Sequence, residues 1–88
     1  MEKWVLYMVQ CADDSIYTGI TNNLEARLQA HNAGKGAKYT KGRTPVVLKA
    51  VFEYPDRSEA SKAEYAFKKK SRQEKMRSIA DFRSSKSL

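Results

Sequence analysis

The sequence predicts an α/β (α+β) domain built from three short strands and about three helices. Two observations carry that expectation. Runs rich in β-branched and aromatic residues occur at WVLYMVQC (4–11), IYTGI (16–20) and VVLKAVFEY (46–54). Segments with helix-capping signatures and helical spacing follow the second and third of these runs. Eighty-eight residues suit one domain, expected over 1–83, with SSKSL (84–88) as a disordered tail.

Trp4–Cys11 is almost continuously apolar, as expected of a strand covered on both faces. Asp13-Asp14 makes a turn, and Ile16–Ile20 returns as the second strand of a hairpin. A two-residue loop would put Tyr7 and Tyr17 on opposite faces. A three-residue loop, Ala12–Asp14, pairs Cys11 with Ser15 and Val9 with Tyr17, and brings both tyrosines to one face. Both registers are compatible with the sequence. Gly19, at the end of the second strand, suits a bulge or a close backbone approach.

Asn22, with Glu25 three residues on, reads as a capping box for a helix running to about Asn32, and Gly34 is a natural glycine stop. Leu24 and Leu28 form its apolar stripe, and Arg27 and His31, four apart, flank it. The loop GKGAKYTKGRTP (34–45) leads to the third strand, where Val46, Leu48, Ala50, Phe52 and Tyr54 share a face by alternation. Asp56 and Glu59 cap a second helix, about 57–69, and Ser71 and Glu74 form the capping box of a third, reaching about Phe82. Met76, Ile79 and Ala80 supply the apolar positions of that third helix.

Composition narrows the function classes. No apolar run reaches membrane-spanning length, and the N-terminus lacks the pattern of a signal peptide. Cys11 is alone, so an intrachain disulfide or a cysteine-based zinc site is excluded, and a reducing, cytoplasmic compartment is expected. Net charge is +7, divided as −2 over residues 1–34 and +9 over 35–88. That asymmetry suits a phosphate-backbone partner, and equally a solubilising surface.

Five residues stand out for chemistry. Glu64 falls on the apolar stripe of Ala60, Ala63 and Phe67, where a carboxylate must be paired, hydrogen-bonded or metal-bound. A rim position or a salt bridge would satisfy it equally. Arg27 can present a planar fork to a phosphate, or simply snorkel. His31 can move a proton, or serve the core. Tyr7 and Tyr17 read as core aromatics with hydroxyls at the edge. The loop GKGAKYTKGR misses the P-loop spacing, but Lys35, Lys38, Lys41 and Arg43 around Tyr39 suit backbone contacts and one stacking ring. KKKSRQEKMR (68–77), with Lys68, Lys69 and Arg72, nets +5 and reads as a second basic stretch.

The order of these residues is more specific than any one of them. Tyrosine on strand one (Val5-Leu6-Tyr7), Tyr17-Thr18-Gly19 on strand two, Arg27 and His31 on the next helix and Glu64 on a later one together resemble the GIY-YIG nuclease superfamily. The stretch CADDSIYTGITNNLEARLQAHNAGKGAKYT is similar to its small stand-alone bacterial members. The family's first glycine is Val5 here, its isoleucines are Leu6 and Thr18, and its late asparagine has no counterpart. The resemblance implies a small, largely antiparallel three-stranded sheet flanked by helices. It also implies a divalent-metal-dependent endonuclease. Tyr7 and Tyr17 fall on the paired tyrosines, Arg27 on the helix arginine, His31 on a position held by His or Tyr, and Glu64 on the metal-binding glutamate. One carboxylate suffices for a single Mg²⁺ or Mn²⁺, whose remaining ligands are water and phosphate. Tyr7, Tyr17 and neutral His31 all remain candidates for the base. DNA is the first choice of partner, RNA the second, with little sequence specificity and a repair or processing role. A weakly active or non-catalytic nucleic-acid-binding module is the alternative.

Overall fold

The computed structural model describes residues 3–86. Three strands, β1 (Trp4–Gln10), β2 (Ile16–Thr21) and β3 (Val47–Tyr54), form one antiparallel sheet in the order β2-β1-β3. Three helices accompany it: α1 (Leu24–Asn32), α2 (Arg57–Lys68) and α3 (Arg72–Lys86). The expected fold class is the observed one. No helix among the described residues is long and apolar enough to cross a membrane. Residues 84–86, expected in a disordered tail, instead continue α3, while residues 1–2 and 87–88 lie outside the described residues.

The hairpin takes the odd register. Cys11 N–H donates to the Ser15 carbonyl at 2.8 Å and Asp14 N–H to the Cys11 carbonyl at 2.9 Å. Asp14 sits at φ 69°, the left-handed residue that closes a three-residue hairpin loop. Tyr7 therefore lies opposite Gly19, and Val9 opposite Tyr17. Both tyrosines share a face.

Central β1 is buried on both sides, which explains its unbroken apolar run. On one face Leu6, Met8, Ile16 and Ala50 pack with Ile79 of α3 and with Ala63, Phe67 and Phe82. Phe52 lies 5.6 Å, centroid to centroid, from each of Phe67 and Phe82. On the other face Tyr7, Val9, Cys11 and Val46 pack with Tyr17 and with Leu24 and Leu28 of α1.

The alternation expected along the third strand is broken. Met8 pairs with Ala50, but Val9 pairs with Leu48, leaving Lys49 as an extra residue. Such a bulge exchanges the faces on either side of it. Ala50 and Phe52 consequently join the α2–α3 face, whereas Val46 joins the tyrosine cluster and Leu48 is exposed. Met76 and Ala80 are also exposed, and Ile79 alone of the three expected apolar positions of α3 is buried.

Local chemistry explains the helix ends. Asn23, not Asn22, caps α1, its side chain accepting from Ala26 N–H at 3.1 Å. Thr21 Oγ1 accepts from Asn23 N–H at 3.0 Å and holds that cap in place. At the other end Gly34 N–H donates to His31 O and Lys35 N–H to Ala30 O, with Gly34 at φ 78°. This is a Schellman stop. Asp56 caps α2, and Ser71 and Glu74 exchange both bonds of a capping box before α3.

Candidate active site

The face carrying Tyr7 and Tyr17 is closed by α1 and by the loop 34–45. Asn32 pins the far end of that loop, since its side chain accepts from Val46 N–H at 2.7 Å. Arg43 pins the middle. Its carbonyl accepts from Ala12 N–H, and its guanidinium meets Asp13 at 2.8 Å and lies 4.5 Å from the Tyr39 ring centre. The loop is therefore folded onto the hairpin end.

Inside this enclosure Tyr7 and His31 meet. Both are fully buried, and Tyr7 Oη lies 2.8 Å from His31 Nε2. Arg27 Nε–H donates to the same Tyr7 oxygen at 3.3 Å. Helical spacing puts Arg27 and His31 one turn apart on α1, so one hydroxyl reaches both. The ring of Tyr17 completes the group, 6.3 Å from Tyr7 and 5.3 Å from His31 between centroids. Tyr17 is half-buried, which distinguishes it from Tyr7 and His31.

Burial dominates the electrostatics of the pair. It pushes the Tyr7 phenol above its ordinary value, against the pull of the Arg27 hydrogen bond. It also pushes His31 down, helped by the Arg27 charge. Both are therefore neutral near pH 7. Arg27 is raised, because its bond to Tyr7 favours the charged form.

Glycine makes the close packing possible. A Cβ on Gly19 would lie 2.6 Å from Tyr7 Oη and 3.0 Å from a Tyr17 ring carbon. A Cβ on Gly36 would collide with His31 Nδ1 and lie 2.7 Å from its Cγ. The close approach suspected for Gly19 is present. Gly36 was not anticipated, and neither was Thr40, which is buried with its Oγ 2.7 Å from His31 Nδ1. Their positions in a glycine- and lysine-rich loop suggested solvent rather than a histidine.

Glu64 lies on the rim rather than in the core. A quarter of its side chain is exposed, and it meets Lys68 at 3.4 Å. Its charge still reaches Tyr7, whose phenol it helps to raise. No three His, Cys, Asp or Glu side chains among the described residues cluster as a preformed cage. A metal here would draw one carboxylate from the protein.

Of the residues expected to contact nucleic acid, Lys35, Lys38 and Lys41 are exposed on the loop. Tyr39, 42% exposed, stacks on Tyr17 at 5.8 Å, and Lys68 lies 5.8 Å from the Tyr17 ring centre. With Lys75, which no local pattern distinguishes from its basic neighbours, they line an open cleft. Arg72 is engaged with the Asp14 carbonyl at 2.7 Å, Lys69 lies over Tyr65, and Arg43 is held by Asp13.

The chain matches the family model of the GIY-YIG catalytic domain over residues 3–77. A UPF0213 protein of Staphylococcus haemolyticus is 52% identical over 81 residues, covering 92% of this chain and 99% of the relative. One from Streptococcus sanguinis is 48% identical over 79 residues, covering 90% and 91%. A solution NMR structure of a protein from E. faecalis aligns with a TM-score of 0.63 at 41% identity, covering 94% of this chain and 92% of that one. The NMR structure of a UPF0213 protein from Bacillus halodurans aligns with a TM-score of 0.58 at 40% identity, covering 89% and 83%. Motif order, fold and relatives agree: this chain belongs to the GIY-YIG family, among its small UPF0213 proteins, and its domain type implies nuclease activity.

Proposed function

We propose that this protein hydrolyses phosphodiester bonds in nucleic acid with one divalent ion, Mg²⁺ or Mn²⁺, that DNA is its main substrate, and that its sequence specificity is low. The observation that carries this reading is the held guanidinium. Tyr7 takes the Nε–H of Arg27 and Tyr17 also bonds the guanidinium, so a half-buried, positively charged fork is held at the two tyrosines, where its outer edge can meet a phosphate.

Glu64 suits the metal. Magnesium takes one or two carboxylates and fills its shell with water and phosphate oxygens. Glu64 is partly exposed, and its partner Lys68 is more than half exposed, so the carboxylate is open to exchange. When bound, the ion would stabilise negative charge on the phosphate and the leaving oxygen.

The chain's own residues divide the remaining work. Arg27 neutralises charge building on the phosphoryl group. Tyr17 reaches solvent beside Arg27, so its phenol can give up its proton to solvent and, as the phenolate, take the proton of the attacking water. Tyr7 and His31 are buried and bonded to each other, and they act behind Arg27 by orienting it. The lysines around Tyr39 contact the backbone, which favours low sequence specificity.

The test uses plasmid, single-stranded and branched DNA, and RNA, with Mg²⁺ or Mn²⁺. Wild type should cleave, whereas Glu64→Ala and Arg27→Ala should not. Equal cleavage by all three proteins would indicate a contaminant and sink the assignment. Salt-dependent binding without cleavage would replace it with a binding module.

A further inference from the structure

Behind His31 lies a line of hydrogen bonds that phosphate binding alone does not require. Thr40 is 1% exposed in a loop otherwise rich in lysine. Its Oγ is 2.7 Å from His31 Nδ1 and 3.0 Å from the Ala37 carbonyl oxygen. A hydroxyl has one proton to donate, and a carbonyl can only accept. With the Thr40 proton on the Ala37 carbonyl, which also accepts from Thr40 N–H at 3.1 Å, the hydroxyl oxygen accepts from Nδ1–H of His31. A neutral imidazole carries one N–H, which leaves Nε2 as an acceptor. That nitrogen faces the hydroxyl of Tyr7, a buried donor that needs an acceptor.

The result is one direction throughout. Arg27 Nε–H donates to Tyr7, Tyr7 to His31, His31 to Thr40, and Thr40 to Ala37. The opposite tautomer would aim Nε2–H at the Tyr7 oxygen, so that His31 and Arg27 fill both of its lone pairs, and turn the Tyr7 proton away from His31, where it would need another buried acceptor. One contact favours that alternative, Ala37 N–H to Nδ1, but at 3.5 Å it is at the limit of a hydrogen bond.

We propose that Thr40 is a positioning residue for phosphodiester hydrolysis: by donating to the Ala37 carbonyl it fixes His31 as the Nδ1–H tautomer, so that Tyr7 donates to His31 and keeps its oxygen open to hold Arg27. The role in hydrolysis rests on the function proposed above; the tautomer does not. Gly36 contributes by leaving room for the loop backbone against the imidazole.

The full chain has a single histidine, so the ring-nitrogen signals of a ¹⁵N-labelled sample belong to His31 alone. Wild type at neutral pH should show a protonated Nδ1 and a bare Nε2. Thr40→Val keeps the shape and loses the hydroxyl. It should shift the tautomer towards Nε2–H and lower kcat about tenfold, with KM nearly unchanged, as expected for a buried donor left without a partner. Thr40→Ser should restore both readouts. A wild-type Nε2–H tautomer would overturn the proposal, and so would a folded Thr40→Val protein with unchanged tautomer and kcat. If Thr40→Val fails to fold, wild type and Thr40→Ser decide by the same tautomer signal. Wild type that cleaves no nucleic acid would defeat the proposed function and the hydrolytic role, while the ring nitrogens would still judge the geometry.

Discussion

Tyr7 and His31, on a strand and a helix 24 residues apart in sequence, share a 2.8 Å hydrogen bond at a point with no solvent exposure. Neither residue can be altered without leaving the other short of a partner. Tyr7→Phe removes the hydroxyl and strands both His31 Nε2 and Arg27 Nε–H. The expected cost is about 1–3 kcal/mol of stability, measured by urea unfolding. Tyr17→Phe should behave differently, since that residue is half-buried. It should unfold near the wild-type midpoint and lose about 10²-fold or more in cleavage rate, the ordinary contribution of a positioned base. Wild-type turnover by Tyr17→Phe would remove Tyr17 from the proposed role.

Two glycines of the loop give a second prediction. Gly36→Ala drives a methyl group into a buried imidazole, whereas Gly42→Ala at φ 82° meets no neighbouring atom. Overpacking should cost Gly36→Ala about 3 kcal/mol. Gly42→Ala should cost about 1 kcal/mol, from its left-handed backbone alone. Thermal unfolding of the two variants separates clash from strain, and equal losses would mean that the loop yields around His31.

These contrasts mark what a sequence can convey. The strands, the Ser71–Glu74 capping box and the glycine stop at Gly34 depend on residues near one another, and local pattern reveals them. The sequence leaves two hairpin registers open because the choice turns on one residue, Asp14, entering the left-handed region. Asn22 and Asn23 are adjacent and chemically equivalent as caps, so only tertiary placement selects Asn23. The bulge at Lys49 leaves no mark in an unbroken strand-like run. The roles of Gly36 and Thr40 are not legible in the sequence because their partner, His31, belongs to another element, and no local spacing encodes that contact.

Glu64→Gln is expected to separate activity from stability. Its partner Lys68 is more than half exposed, and a pair of that kind contributes at most about 1 kcal/mol. The variant should therefore melt close to wild type. It should lose cleavage and any Mg²⁺- or Mn²⁺-dependent change in nucleic-acid affinity. Retained metal-dependent cleavage would assign the ion to other ligands.

Lys35, Lys38 and Lys41 lie exposed along the loop. Replacing all three with alanine should change stability by less than about 0.5 kcal/mol, as for ordinary surface sites. If each meets a phosphate, the slope of log affinity against log salt should fall by about 2–3. Arg43→Ala should instead loosen the loop, because its side chain joins Asp13 and Tyr39. An unchanged salt slope in the triple variant would move the nucleic-acid contacts off this loop.

His31 also makes the fold sensitive to mild acid. Burial and the Arg27 charge hold its pKa below the ordinary 6.5. Between the folded and unfolded values, the unfolded chain binds a proton that the folded chain does not. Stability is therefore full above about pH 6.5 and falls as the pH drops below it, until the folded pKa is passed. Asp13 and Glu74 are held below their ordinary 3.8 and 4.5, so their losses begin in more acidic solution. The interval from pH 6.5 to about 5 belongs to His31. Melting temperatures of wild type should decline across it, whereas those of His31→Gln, lower at every pH, should stay nearly flat. Parallel curves for the two proteins would show that His31 titrates alike in the folded and unfolded chains, and that its burial does not control its charge.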